Sequence, residues 1–156
     1  MNSKEISSIL MSNHKTKRIF KGIFPRDTLP SRALCLKHPS AYVVNTDRST
    51  GPGDHWVCVY FDGMGRAEYF DSFGAPPMFE SVVNFITKNS FYPHTFNQRL
   101  LQSLTSSMCG FYVIFYIFSK ADGKTLSDIQ SSFFPHNVWG NDRRVESLVQ
   151  QYISKR

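Results

Sequence analysis

The chain has 156 residues, of which 41% are apolar and 15% aromatic, and its net charge is +6. Such a composition excludes intrinsic disorder, and a chain of this length buries about 70% of its unfolded surface, so we expect one domain over residues 1–156. Three cysteines do not make a disulfide framework, and no stretch is long enough to span a membrane or is typical of a secretory signal. We therefore expect a soluble protein in a reducing compartment, the cytosol or the nucleus.

The basic excess is concentrated at the N-terminus, where residues 1–54 hold nine basic and four acidic side chains. The densest group lies in the basic N-terminal segment 1–21 and consists of Lys15, Lys17, Arg18 and Lys21. Such a group predicts binding of a polyanion such as nucleic acid, and a solvated basic face is the alternative.

The first 45 residues predict one short helix and one strand. Ser3 caps a helix that ends before the polar run at residues 12–17. Residues 19–39 contain three prolines and a glycine, so we expect mostly irregular structure there. A short buried strand follows at residues 41–45.

Residues 55–71 predict a hairpin, because two alternating segments flank turn residues centred near Gly63. With that centre the paired residue numbers sum to about 126, which places His55 directly opposite Asp71 on one face. A carboxylate beside an imidazole fixes its tautomer and stabilises the imidazolium, as a general base requires. The prediction depends on the register, and a structural polar contact is the alternative.

The second half of the chain predicts three helices and a further strand. Pro76 and Pro77 open a helix with apolar residues at helical spacing, and residues 95–102 predict a strand. Residues 109–119 are apolar on every face and follow possible N-caps, which predicts a buried central helix. Asn141 caps the last helix. The fold class is therefore α+β, a short, mostly antiparallel sheet packed against a buried helix.

Cys109 is the candidate nucleophile, because free N–H groups and the dipole at a helix N-terminus lower the pKa of a thiol. Gly110 then leaves room for a substrate backbone. The alternative is a buried cysteine that acts as a small apolar side chain. Cys35 and Cys58 are interpreted as bystanders, and the half-motif of Cys35 and His38 is weak support for a zinc site.

Gln102 is the candidate for a second oxyanion donor, beside the backbone N–H of the nucleophile. A Gln on the loop before the nucleophile's helix is well placed for this role. Gln98 and Asn97 are nearby competitors.

Four stretches in this order resemble the adenovirus endopeptidase (adenain) family, in the clan that includes the SUMO-specific proteases. They are residues 44–46, 53–56, 69–74 and 102–110, with sequences VNT, GDHW, YFDSFG and QSLTSSMCG. The interval of seven from Gln102 to Cys109 is the adenovirus form. The first two stretches are also similar to cysteine proteases of Polinton/Maverick elements and adenovirus-like viruses.

The resemblance implies that Cys109 is the nucleophile, His55 the general base and acid, Asp71 its orienter and Gln102 an oxyanion donor. Trp56 would pack beside the site. Adenovirus enzymes have Glu where this chain has Asp71. They also have a cysteine, near the place of Phe91, that bonds to an activating peptide. Without it, activation by a peptide is expected to be absent or non-covalent, and the chemistry needs no cofactor.

By the same resemblance we expect an endopeptidase that cuts capsid or core precursors at Gly-containing sites during virion maturation. We expect it to be a monomer in the host nucleus and the virion, with no membrane attachment. We also expect the basic segment to bind DNA non-specifically, with DNA as a possible activator. Two alternatives stay open, a deubiquitinase or SUMO-like isopeptidase and a catalytically silent DNA- or capsid-binding module.

Overall fold

The computed structural model describes residues 1–33 and 37–154. Five strands of these ranges form one sheet in sequence order, with the three central strands antiparallel and each edge strand parallel to its neighbour. The strands are β1 (Phe20–Pro25), β2 (Ser40–Asn45), β3 (Trp56–Phe61), β4 (Ala67–Phe70) and β5 (Thr95–Phe96). The predicted α+β class is confirmed, and the sheet is mixed, since half of its strand pairs are parallel.

Six helices of the described ranges cover the sheet, and none of them is both long enough and apolar enough to cross a membrane. They are α1 (Ser3–Ser12), α2 (His14–Ile19), α3 (Glu80–Lys88), α4 (Cys109–Ala121), α5 (Leu126–Ser131) and α6 (Val138–Ser154). Apolar side chains are buried on both faces of the sheet, against α3 on one face and around α4 on the other.

Helix α4 is the buried central helix that the sequence predicts. All of its residues from Tyr112 to Ser119 are buried, between the sheet and helices α1, α2 and α6. The ring of Phe70 in β4 stacks on Tyr116 of α4, with ring centres 4.5 Å apart. Helix α4 is therefore packed against strands β3 and β4.

Near the N-terminus the structure departs from the prediction in three places. Asn2, not Ser3, caps α1, and its side chain accepts a hydrogen bond from Glu5 N. The polar run continues as α2 because Asn13 caps a new helix, whose Thr16 is fully buried. Residues 20–25 form a strand although they contain Gly22 and Pro25, because an edge position beside β2 tolerates both residues.

In the second half of the chain the three predicted helices are present, but their boundaries differ from the predicted ones. Helix α3 begins three residues after Pro77, and the strand predicted over 95–102 is only the two residues of β5. Helix α5 was not predicted. Asn141 is not an N-cap, since α6 begins at Val138 and the buried Asn141 amide donates to the carbonyl oxygens of Leu101 and Phe134.

Candidate active site

The predicted hairpin is present, but its register differs from the predicted one by two residues. Cys58 pairs with Phe70 and Val59 with Tyr69, so paired residue numbers sum to 128 and His55 is not directly opposite Asp71. A shift of two residues preserves the face on which each side chain lies, because side chains alternate along a strand. His55 and Asp71 lie just outside the paired segments, and His55 Nε2 is 2.7 Å from Asp71 Oδ1.

Two neighbours, Phe73 and Asn97, hold His55 and Asp71 in place. Phe73 N donates to Asp71 Oδ1 at 2.8 Å, and the Phe73 ring stacks on the imidazole with centres 4.5 Å apart. The buried Asn97 side chain accepts from Asp71 N at 2.9 Å and donates to Asp71 O at 2.5 Å. Sequence reasoning offered Asn97 as an oxyanion donor, and the structure instead places it on the backbone of Asp71.

Cys109 is the first residue of α4, as the sequence predicts, and only 8% of its surface is exposed. Met108, the N-cap residue, makes no side-chain capping bond to the first turn of the helix. The sulfur hydrogen-bonds to the His55 side chain and to the backbones of Trp56 and Gly110. Because Nε2 of His55 faces Asp71, the imidazole nitrogen left for the sulfur is Nδ1.

These contacts oppose the effect of burial on both titrating groups. Burial raises the pKa of Cys109. The hydrogen bonds from His55, Trp56 and Gly110 together outweigh this effect, so the pKa lies below its ordinary value of 9.0. Burial lowers the pKa of His55, but its bonds to Asp71 and Cys109 raise it from 6.5 to about 9. Both directions favour a thiolate facing an imidazolium, which is the reactive form of a cysteine nucleophile.

Gln102 lies buried on the loop between β5 and α4, with 1% of its surface exposed. Its Nε2 is 2.8 Å from the carbonyl oxygen of Ser106 and 3.2 Å from the Ser106 hydroxyl. Its Oε1 is 2.6 Å from the Ser72 hydroxyl. Of the two competitors, Asn97 is engaged with Asp71 and Gln98 is exposed. The structure thus places the amide of Gln102 next to the turn that leads into Cys109.

A cleft of about 490 Å³ opens beside Cys109. Its walls include Trp56, Ser107 and Met1, together with the loop at residues 48–54. Trp56 Nε1 donates to the carbonyl oxygen of Met1 at 3.1 Å. A Cβ on Gly110 would lie 3.1 Å from Cβ of Met1 and 3.3 Å from its sulfur. The space that the sequence assigned to a substrate backbone at Gly110 is therefore filled by the Met1 side chain.

The basic residues lie on and just after α2. Lys17 and Arg18 are exposed, Lys21 Nζ donates to the carbonyl oxygen of Arg18, and Lys15 Nζ forms an ion pair with Asp122 at 2.7 Å. Of the other cysteines, Cys58 is fully buried in β3, and Cys35, one of the two residues of the zinc half-motif, lies outside the described residues. Within the described ranges no three His, Cys, Asp or Glu side chains are grouped as metal ligands.

The sequence is similar to cysteine proteases of African swine fever virus. Over 92 residues it is 39% identical to the cysteine protease S273R, a match that covers 51% of this chain and 33% of that protein. A protein named SUMO-1 cysteine protease S273R, from another isolate of the virus, matches with the same identity and coverage. The chain thus spans about a third of the length of the curated relatives it matches. No protein-family model matches.

Two solved folds are similar over most of the chain. The crystal structure of the African swine fever virus pS273R protease superposes with a TM-score of 0.62 at 19% identity, covering 92% of this chain and 65% of that one. The central domain of the Lpg1148 protein from Legionella pneumophila gives a TM-score of 0.54 at 16% identity, covering 99% and 97%. The chain has the fold of the viral protease, and the names of its relatives agree with the predicted enzyme class.

Proposed function

We propose that this chain is a cysteine endopeptidase with Cys109 as its nucleophile. The observation that supports it most is the hydrogen-bonded series Asp71, His55 and Cys109 at the start of an uncapped helix. The series lowers the thiol pKa in a buried place, where an ordinary cysteine would be protonated. The protease names of the viral relatives support the same reaction class.

In this proposal the Cys109 thiolate attacks the scissile carbonyl carbon and forms a tetrahedral intermediate. The Cys109 N–H and the Gln102 amide donate to its oxyanion. The imidazolium of His55 protonates the departing amine, which breaks the peptide bond and leaves an acyl-enzyme. His55 then takes a proton from water, which attacks the thioester and releases the acid. Asp71 keeps the imidazole oriented in both steps.

The test is covalent labelling with a peptide that ends in Gly-Gly and bears an electrophile, followed by mass spectrometry of the labelled residue. We expect the adduct on Cys109, none on Cys58, and loss of both labelling and peptidase activity in Cys109→Ala. A Cys109→Ala protein that still cleaves a peptide would overturn the proposal. Slow alkylation of Cys109 at neutral pH would instead favour the catalytically silent binding module, which has no need of a lowered thiol pKa.

For the substrate we propose capsid or core precursor proteins that are cut at Gly-containing sites during virion maturation. Support comes from the sequence motifs and from the viral source of the matching relatives. A deubiquitinase or SUMO-like isopeptidase is the second candidate, favoured by the name of one of these relatives. Electrophilic ubiquitin and SUMO probes that label Cys109 faster than the Gly-Gly peptide probe would favour the isopeptidase.

We also propose that the protein acts as a monomer in the host nucleus and the virion and binds DNA through α2. Support for DNA binding is the exposure of Lys17 and Arg18 on one short helix. Lys15 contributes less to this surface, because Asp122 already neutralises it. Fluorescent fusions of the wild-type chain in infected cells would test the location. The molecular mass from analytical ultracentrifugation would test whether the protein is a monomer.

A further inference from the structure

Ser72 connects the turn that contains Asp71 to the loop that contains Gln102. It is fully buried. Its carbonyl oxygen accepts the N–H of Leu101 at 2.9 Å and the N–H of Gln102 at 3.1 Å. Its hydroxyl is 2.6 Å from Gln102 Oε1. Backbone and side chain of one residue thus both hold the oxyanion candidate.

The hydrogen-bond partners define which way the Gln102 amide points. The carbonyl oxygen of Ser106 can only accept, so the group that faces it at 2.8 Å must be the Gln102 NH2. The amide oxygen therefore faces Ser72. That oxygen can only accept as well, so the Ser72 hydroxyl donates to it. A reversed amide would place two oxygen atoms against each other at Ser106.

We propose that Ser72 is a positioning residue that holds the Gln102 amide so that one of its protons is presented to the developing oxyanion. The Ser106 carbonyl takes one amide proton, and the second makes the longer contact of 3.2 Å to the Ser106 hydroxyl. That second proton is the one a substrate oxyanion can recruit. Without the Ser72 hydroxyl the buried oxygen Oε1 loses its donor, and the amide is held at its nitrogen end alone.

This inference rests on the proposed peptidase function, and it differs from a purely structural role in what it predicts for kcat. We expect Ser72→Ala to lower kcat about 10-fold with little change in KM, since removal of a whole oxyanion donor costs about 100-fold or more. The rate of Cys109 alkylation should stay within twofold of wild type, roughly unchanged, because the thiol and imidazole contacts are intact.

A double-mutant cycle separates action through Gln102 from general damage. In a Gln102→Ala background, Ser72→Ala should change kcat by less than about twofold, because the group it positions is gone. Two losses that multiply in the double variant would overturn the proposal. Ser119→Ala is the control, since Ser119 is also fully buried but lies ten residues after Cys109 in α4, about 15 Å from it along the helix axis. Its kcat should equal that of wild type.

A second pair of variants and a spectroscopic readout keep the proposal testable if Ser72→Ala does not fold or if the wild type has no peptidase activity. Ser72→Thr keeps the hydroxyl, and Ser72→Val replaces it with a methyl group in a side chain of nearly the same shape as Thr. In ¹⁵N-labelled protein we expect the side-chain amide protons of Gln102 to be protected in wild type and Ser72→Thr and to exchange faster in Ser72→Val. Equal protection in the Thr and Val variants would overturn the positioning role, whereas an inactive wild type would overturn only the peptidase function.

Discussion

At the scale of single residues, two buried thiols in this chain behave in opposite ways. Burial raises the pKa of Cys58, which lies in the sheet beside Tyr42 and Glu68 and has no imidazole partner there. Burial acts in the same direction on Cys109, but three hydrogen-bonding groups reverse the result. We therefore expect thiol reactivity to depend on the donors around the sulfur rather than on its exposure, and to be confined to Cys109 among the described cysteines.

The pH dependence of activity follows from these two pKa directions. The reactive pair needs a Cys109 thiolate and a protonated His55, so activity should rise with pH through the lowered thiol pKa and fall as pH passes about 9, the pKa of His55. Initial rates of peptide cleavage across the pH range measure both limbs. A profile whose alkaline limb falls near 6.5, the ordinary value for histidine, would contradict the raised His55 pKa.

Asn97 should affect catalysis through the placement of Asp71. Asn97→Ala removes both bonds to the Asp71 backbone, so we expect a loss of about 1–3 kcal/mol in the free energy of unfolding and slower Cys109 alkylation at neutral pH. Asn89→Ala is the control, because Asn89 is a buried residue that likewise bonds two backbone groups, Ala33 N and Phe85 O. It should lose similar stability with wild-type alkylation. Equal alkylation rates in the two variants would mean that Asn97 is structural only.

At the scale of elements, the N-terminal part of α6 supports the loop that contains Gln102. Asp142 Oδ1 accepts from the Tyr112 hydroxyl at 2.9 Å, and Oδ2 accepts from Ser103 N at 3.4 Å. Asn141 and the Tyr112 hydroxyl both reach the carbonyl oxygen of Leu101, at 3.1 Å each. Helices α4 and α6 thus hold the residues on both sides of Gln102.

Tyr112→Phe tests this support with the smallest possible change. The variant keeps the buried ring but removes the donor to a carboxylate that is only 7% exposed, so we expect about 1–3 kcal/mol less stability in urea unfolding. A lower kcat should accompany it, because the loop loses one of its anchors. Stability equal to that of wild type would show that Asp142 is satisfied without the hydroxyl.

The same elements show how far the sequence could predict the site. The helix start at Cys109 and the shared face of His55 and Asp71 follow from local patterns, and even a register wrong by two residues left the face unchanged. The roles of Ser72 and Asn97 could not be predicted, because their partners lie about 30 residues away in sequence and meet only in the folded chain. Strand β1 was missed because its pairing with β2 outweighs its own weak strand propensity.

At the scale of the whole molecule, the basic side chains and the proposed catalytic residues lie at different places. Lys17 and Arg18 extend from α2, whereas the cleft opens at the start of α4. We expect the affinity for duplex DNA to fall steeply with salt, and a Lys17→Ala, Arg18→Ala variant to weaken binding and reduce the salt slope by about 2. Lys88→Ala is the control, because Lys88 lies on α3, on the opposite face of the sheet. This variant should bind DNA as wild type does. Fluorescence anisotropy at several salt concentrations measures this, and unchanged binding would exclude α2 as the DNA surface.

Helix α4 and strand β4 are joined at two ends. Beside the cleft the contact runs through Cys109, His55 and Asp71, and at the far end Lys120 Nζ lies 2.7 Å from Glu68 Oε2, with both side chains mostly buried. Between them Phe70 stacks on Tyr116. We therefore expect Cys109, His55 and Asp71 to separate only when the packing between α4 and β4 is lost. Rapid thiol alkylation and native circular dichroism should then disappear in one common urea transition, so inactivation of this protein would be a measure of its global unfolding.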